Sequence, residues 1–157
     1  MRLIAIDPGK AGGIAWMDEK RSGTVQAVKM PQTMEERAHV LGDVTLAGEC
    51  VVYLEHVWAM PRDGKASAGT FMEHVGELKT HLWHFVAEPV MVTPASWIAK
   101  LRTGYINDLP KGADNETTKR RKNMIKEFTA RKFPKVKPTL ATSDALAMLF
   151  LANAKRI

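Results

Sequence analysis

The sequence predicts an α/β fold: one domain over residues 1–157, built on a five-stranded mixed β-sheet with helices on both faces. Three observations predict it. Three strand-like segments follow one another at the N-terminus with short connections, as in an antiparallel meander. Two further strand segments alternate with helical ones, the pattern of parallel crossovers. The full order then reads β-β-β-α-β-α-β-α-α-α, and right-handed crossovers set the fourth strand beside the first.

Each element has its own warrant. Arg2 to Ile6 is an apolar strand stopped by Asp7-Pro8-Gly9, and Gly12 to Met17 is a second. Asp18 to Gly23 is a polar hairpin turn, and Thr24 to Met30 is a third strand closed by Pro31. Thr33 to Leu41 has Met34, Ala38 and Leu41 on one helical stripe, and Thr33 with Glu36 has capping-box spacing. Val51 to Val57 is rich in β-branched and aromatic residues and forms the fourth strand. Pro61 to Gly69 reads as a flexible loop. Phe71 to Phe85 is a helix, with Phe71, Val75, Leu78 and Leu82 at helical spacing. Val90 to Thr93 is the fifth strand, ended by Pro94, and Ala95 to Leu101 is a short helix. Arg102 to Thr118 is polar and reads as loop, Lys119 to Lys132 is a basic helix, and Pro134 and Pro138 bracket a linker. Thr142 to Lys155 is an apolar helix whose basic last turn suits the helix dipole.

Composition narrows the class. Hydrophobic residues make up 45% and charged residues 25%, the balance of a globular domain rather than a disordered chain. The net charge of +6, from 23 Lys and Arg against 17 Asp and Glu, favours a polyanionic partner. One cysteine, Cys50, excludes an intramolecular disulfide and fits a reducing compartment. It reads as a small buried hydrophobe. No apolar run reaches membrane-span length and no targeting segment is visible, so the expectation is a cytoplasmic protein with no membrane partner.

The chemistry lies in three carboxylates. Alternation puts Asp7 on the face of Leu3 and Ala5, and Glu55 on the face of Val51 and Tyr53. Both stand at carboxyl ends of strands, where ligands gather in open α/β sheets. Asp144 opens the last helix and can supply a third carboxylate. Each has a bland reading: Asp7 as a turn residue, Asp144 as a helix N-terminal acid. Glu55, inside an apolar strand, is harder to explain that way, because burying an unpaired carboxylate is costly. Three together need a compensating cation, and oxygen-only ligands suit Mg²⁺, with Mn²⁺ as substitute. Such a site can hydrolyse phosphodiesters.

These residues resemble the RuvC family of Holliday junction resolvases, within the ribonuclease-H-like superfamily. The likeness rests on Ile4-Ala5-Ile6-Asp7-Pro8-Gly9, Gly13-Ile14-Ala15, Tyr53-Leu54-Glu55-His56-Val57-Trp58 and Ser143-Asp144-Ala145-Leu146-Ala147, and spans nearly the whole chain. It implies a ribonuclease-H-like fold and a Mg²⁺-dependent homodimer that nicks two strands of a four-way junction symmetrically. It also implies Asp7, Glu55 and Asp144 as catalytic metal ligands. The family's fourth ligand falls at Ala141, a departure that leaves metal stoichiometry open; Thr142 or Ser143 could contribute a hydroxyl. Trp58 stands where the family has an aromatic that wedges into the junction core; the alternative is a core residue packed under the loop. Lys119 or Lys122 matches the family's lysines at the scissile backbone, and either would offset transition-state charge.

The densest charge run is Lys119-Arg120-Arg121-Lys122, continued by Lys126, Arg131, Lys132, Lys135 and Lys137. It reads as a phosphate-binding face or a solvated one. Arg62 and Lys65 could grip phosphates from the loop after Trp58. His56 should face away from Glu55. His74, His81 and His84 share one helix, lack a further ligand for zinc, and read as packing or interface residues. Gly69 and Gly76 on that helix allow close approach of another helix, which fits a two-fold dimer.

Three other readings compete. One is a nuclease of the same chemistry that cuts flaps or forks. Another is a non-catalytic junction-binding relative, made plausible by Ala141. The third is a nucleotide-binding domain of the actin and sugar-kinase type, which shares a turn like Asp7-Pro8-Gly9; such proteins pair two domains and are much longer.

Overall fold

The computed structural model describes residues 1–19, 21–46, 48–58, 65–85 and 88–157, with side chains for all of these except 22 and 65–67. Five strands form one sheet: β1 (Arg2–Asp7), β2 (Gly13–Asp18), β3 (Gln26–Lys29), β4 (Cys50–Glu55) and β5 (Val90–Val92). Five helices accompany them: α1 (Met34–Thr45), α2 (Lys65–Phe85), α3 (Pro94–Gly104), α4 (Asn115–Lys132) and α5 (Ser143–Asn153). The strand order is β3-β2-β1-β4-β5. The β1–β2 and β2–β3 pairs are antiparallel; β1–β4 and β4–β5 are parallel. This is the predicted mixed sheet, with the fourth strand beside the first.

Strand alternation sorts the core into two layers. Ile4, Ile6, Ile14, Val52 and Leu54 face α1 and α2, where Leu41, Leu78 and Leu82 are fully buried. Leu3, Ala5, Ala15, Met17 and Val92 face α3, α4 and α5. α5 is buried on nearly every side, which its apolar sequence requires. At the β1 end, Ile6 pairs with Leu54. Asp7 and Glu55, one residue further on, therefore point to the opposite layer, beneath α5.

Several boundaries differ from the sequence expectations, each for a local reason. The third strand starts at Gln26, because Ser22–Thr24 close a 3₁₀ turn. There the Thr24 hydroxyl donates to the Arg21 carbonyl and accepts from the Asp18 N–H. β4 ends at Glu55, so Val57 lies outside it. The expected loop over Pro61 to Gly69 gives way to helix from Lys65 onward. The expected loop over Arg102 to Thr118 is shortened at both ends: α3 runs on to Gly104, and α4 begins at Asn115. Asp114 caps that start, its carboxylate accepting from the Thr117 N–H at 2.8 Å. α5 stops at Asn153, so no basic residue stands in its last turn, and Lys155 lies beyond it at φ +54°. The Thr33–Glu36 capping box is present as read. Cys50 is half-buried rather than buried.

Candidate active site

The acid cluster is assembled from the backbone upward. Asp7 closes β1, and the chain reverses at once through Pro8 and Gly9, with Gly9 at φ +99°. The Gly12 N–H donates to the Gly9 carbonyl at 3.0 Å, and β2 begins at Gly13 opposite Asp7. The turn is so tight that a Cβ on Gly12 would overlap the Asp7 carbonyl oxygen and stand 3.1 Å from its carboxyl carbon. A Cβ on Gly13 would lie 2.7 Å from the Ala141 carbonyl oxygen. Two adjacent glycines thus let β2 and the segment before α5 close down beside Asp7.

Glu55 ends β4 in register with Val92 of β5. The chain then turns through Thr93, whose hydroxyl accepts from the Ser96 N–H, into α3. One turn along α3, Trp97 is buried against the sheet and its indole N–H donates to Glu55 Oε1 at 2.8 Å. Sequence reasoning missed Trp97. The available signal was a Trp four residues after the end of a strand neighbouring Glu55, at the inward position of a short helix. Asp144 stands in the first turn of α5, where the helix dipole favours an anion. Lys122 Nζ of α4 lies 3.6 Å from Asp144 Oδ2.

Asp7, Glu55 and Asp144 are all buried, at 7%, 7% and 9% exposure. Their electrostatics are mutual. Burial holds the Asp7 carboxyl well above the usual value, and the neighbouring Glu55 and Asp144 charges push it further; Lys122 opposes them. Burial also raises Glu55, against the lowering effect of the Trp97 N–H. Burial raises Asp144 while Lys122, and then Arg121, pull it down. Asp7 and Glu55 are close enough to act on each other's titration, and burial raises both. Among the described residues, no group of three or more His, Cys, Asp or Glu stands ready in metal-holding geometry. In chemistry the set fits a hard divalent cation: three buried, oxygen-only donors carry more negative charge than Lys122 offsets.

The other candidates fall in different places. Lys122 is half-buried and reaches the acids, whereas Lys119 and Arg120 are exposed one turn away. Arg121 donates to the Gly112 carbonyl at 2.8 Å, bracing the loop before α4, and remains close enough to act on Asp144. Trp58 is 58% exposed and packs on His56 with ring centroids 4.2 Å apart; it is not a core residue. Arg62 lies outside the described residues, as does the Lys65 side chain. The Thr142 hydroxyl is committed to the turn before α5, accepting from the Thr139 N–H at 2.9 Å. Ser143 Oγ is 3.3 Å from the Leu140 carbonyl and 3.5 Å from Asp144 Oδ1. His74 is buried, His81 lies 3.8 Å from Glu77, and His84 is exposed.

No family model and no curated protein matches the chain. Solved structures do. A structure of Thermus thermophilus RuvC aligns at TM-score 0.54 and 18% identity, covering 99% of this chain and 96% of that one. A structure of T. thermophilus RuvC in complex with Holliday junction substrate aligns at TM-score 0.59 and 16% identity, again covering 99% and 96%. A match of that extent at so low an identity is a match of fold: over nearly its whole length, this chain has the ribonuclease-H-like fold of RuvC.

Proposed function

We propose that the chain is a Mg²⁺-dependent endodeoxyribonuclease that resolves four-way junctions by paired nicking. One observation carries the reading: three buried carboxylates from three separate elements lie close enough at one end of the sheet to act on one another's charge, with a lysine ammonium 3.6 Å from one of them. Surplus buried negative charge of that kind is expensive unless a cation and a reaction use it. The fold likeness to a RuvC structure solved with a Holliday junction supports branched DNA as the substrate class.

Asp7, Glu55 and Asp144 would hold the ion, Mg²⁺ or Mn²⁺ in its place. When bound, it supplies Lewis-acid polarisation of the scissile phosphate. Trp97 fixes the orientation of Glu55 through its indole N–H on Oε1. Lys122 balances Asp144 before substrate arrives and turns toward the phosphate to offset its developing charge. Lys119, Arg120 and Arg121 give the approaching backbone a positive face. Trp58, exposed just beyond Glu55, offers a stacking surface for an unpaired base. Two symmetric nicks require two such sites, hence a homodimer. The outward stripe of α2 supports it: Gly69 and Gly76 have open space where a Cβ would be, and Met72 and Trp83 on the same stripe are exposed. The reading carries a cytoplasmic location with it.

The test is cleavage of a labelled four-way junction beside a matched duplex and a forked substrate, in Mg²⁺. The wild type should nick the junction in pairs. Asp7→Asn should abolish the reaction. Lys122→Ala should slow it about 10²–10³-fold, the loss typical of removing one group that stabilises transition-state charge. Lys119→Ala should weaken binding alone. Equal cutting of forks would replace the junction assignment with a broader branched-DNA nuclease. Tight junction binding with no cutting in Mg²⁺ or Mn²⁺ would make the chain a non-catalytic binder, with Ala141 as the reason.

A further inference from the structure

Beside the acid cluster lies an open cleft of about 480 Å³, lined by Lys10, Ala11, Lys29, Lys122, Leu140 and Ala141. Its parts come from four places in the chain. Lys10 and Ala11 sit in the turn that follows Asp7-Pro8-Gly9. Lys29 ends β3, paired with Gly13 across the ladder. Leu140 and Ala141 precede α5, held against Gly13 by the close approach of the Ala141 carbonyl. Lys122 is shared with the acid cluster.

The chemistry of this cleft is unlike that of its neighbour. Among the described residues, three lysines line it and no acidic residue does. Among the same residues, neither Lys10 nor Lys29 forms an ion pair. Unpaired like charges gathered in one concavity repel each other and attract a polyanion. The rest of the lining is apolar: Leu140, which is 45% exposed, and the two alanines Ala11 and Ala141. Lysines and apolar side chains lining one cleft match one nucleotide unit, with its phosphate on the lysines and its sugar and base over Leu140. The methyl of Ala141 fits this role, because a carboxylate there would cancel part of the lysines' charge.

We propose that this cleft seats the nucleotide next to the scissile phosphate, with Lys10 and Lys29 gripping its phosphate and Leu140 and Ala141 bearing its sugar and base. The inference rests on the proposed DNA-cutting role, and Lys122 joins the two sites. It makes the cleft a positioning site for the cut strand.

Binding without metal tests it separately from cleavage. The probe is a fluorescent four-way junction in EDTA, titrated across a series of salt concentrations, with a thermal melt of every variant. The Lys10→Ala/Lys29→Ala double variant should bind with a salt slope shallower by about two, one for the phosphate that the lysine pair grips in each protomer of the proposed homodimer. Lys155→Ala, which removes a positive charge beyond the C-terminal end of α5, should leave the slope unchanged. Leu140→Ser should weaken binding several-fold at an unchanged slope, since it removes apolar surface and no charge. Ala141→Asp should weaken metal-free binding. An unchanged slope in a folded double variant, or an equal fall with Lys155→Ala, overturns the proposal even if the wild type cuts DNA. A slope that falls as expected in a protein that never cuts keeps the cleft as a DNA-binding site but overturns both the nuclease and the cleft's place beside a cut. No binding by the wild type overturns both.

Discussion

At the residue scale, Asp7 carries the largest electrostatic burden, and this has a pH signature. Its folded-state pKa lies above the ordinary carboxylate value of 3.8 because burial and two neighbouring acids disfavour its charge. Between the two values the folded protein therefore binds more protons than the unfolded chain. Stability from this group is fully present below the unfolded pKa and is lost as pH rises through the folded one. Glu77, held low by the Arg37 guanidinium, works in the opposite sense: its stability is present above the ordinary value and lost as pH falls. Comparison of wild type with Asp7→Asn isolates the first effect. Without metal, the wild-type melting temperature should drop relative to the variant's as pH rises from about 4 to 8. By neutral pH the variant should be the more stable of the two. Parallel melting curves over that range would show that Asp7 carries no buried strain. Excess Mg²⁺ should restore the wild type at neutral pH and leave the variant largely unmoved.

At the element scale, the site depends on how tightly the β1–β2 turn closes. Gly12 decides this, because the space a Cβ would need holds the Asp7 carbonyl. Gly12→Ala should cost about 1–3 kcal/mol, the range for forcing an atom into packed structure. It should also displace Asp7, so that cleavage falls more than stability does when each is measured at a temperature well below melting. A fully active Gly12→Ala protein would contradict this role for the turn. The same turn delivers Lys10 to the basic cleft, so one reversal of chain serves both sites. α5 contributes differently: its apolar sequence buries it against the sheet, and that burial brings Asp144 at its first turn over Asp7 and Glu55.

At the scale of the whole molecule, the two faces of the sheet divide the work. α3, α4 and α5 cover the face that holds the acids, Trp97 and Lys122. α1 and α2 cover the other, and α2 turns Met72 and Trp83 outward at 47% and 67% exposure. On this arrangement, the proposed dimerisation through α2 would leave both acid sites open to DNA. Trp83→Glu should shift the protein toward monomer by sedimentation velocity, because it sets a charge in what would be a desolvated interface. Junction binding should weaken with it, while the fold, read by circular dichroism, stays intact. An unchanged dimer would move the interface elsewhere, and a wild-type monomer at high concentration would remove it.

Much of this was legible in the sequence because it depends on local periodicity. Alternation along Arg2 to Asp7 and along Cys50 to Glu55 determined which face each carboxylate takes. The crossover order determined that the two strands are neighbours, and the uniformly apolar last helix determined that Asp144 is carried into the interior. Other features were beyond its reach, because they rest on distances between segments remote in the chain. Lys119 and Lys122 are equivalent as letters; only the packing of α4 on α5 brings one of them to Asp144. Trp97 belongs to a short helix whose sequence says nothing of Glu55; the pairing of β5 with β4 sets that helix beside it. Lys10 and Lys29 were scattered charges until the sheet drew β3 and the first turn together. Side-chain alternation and helical period act over a few residues and can be read in order, whereas convergence in space is decided only when the core closes.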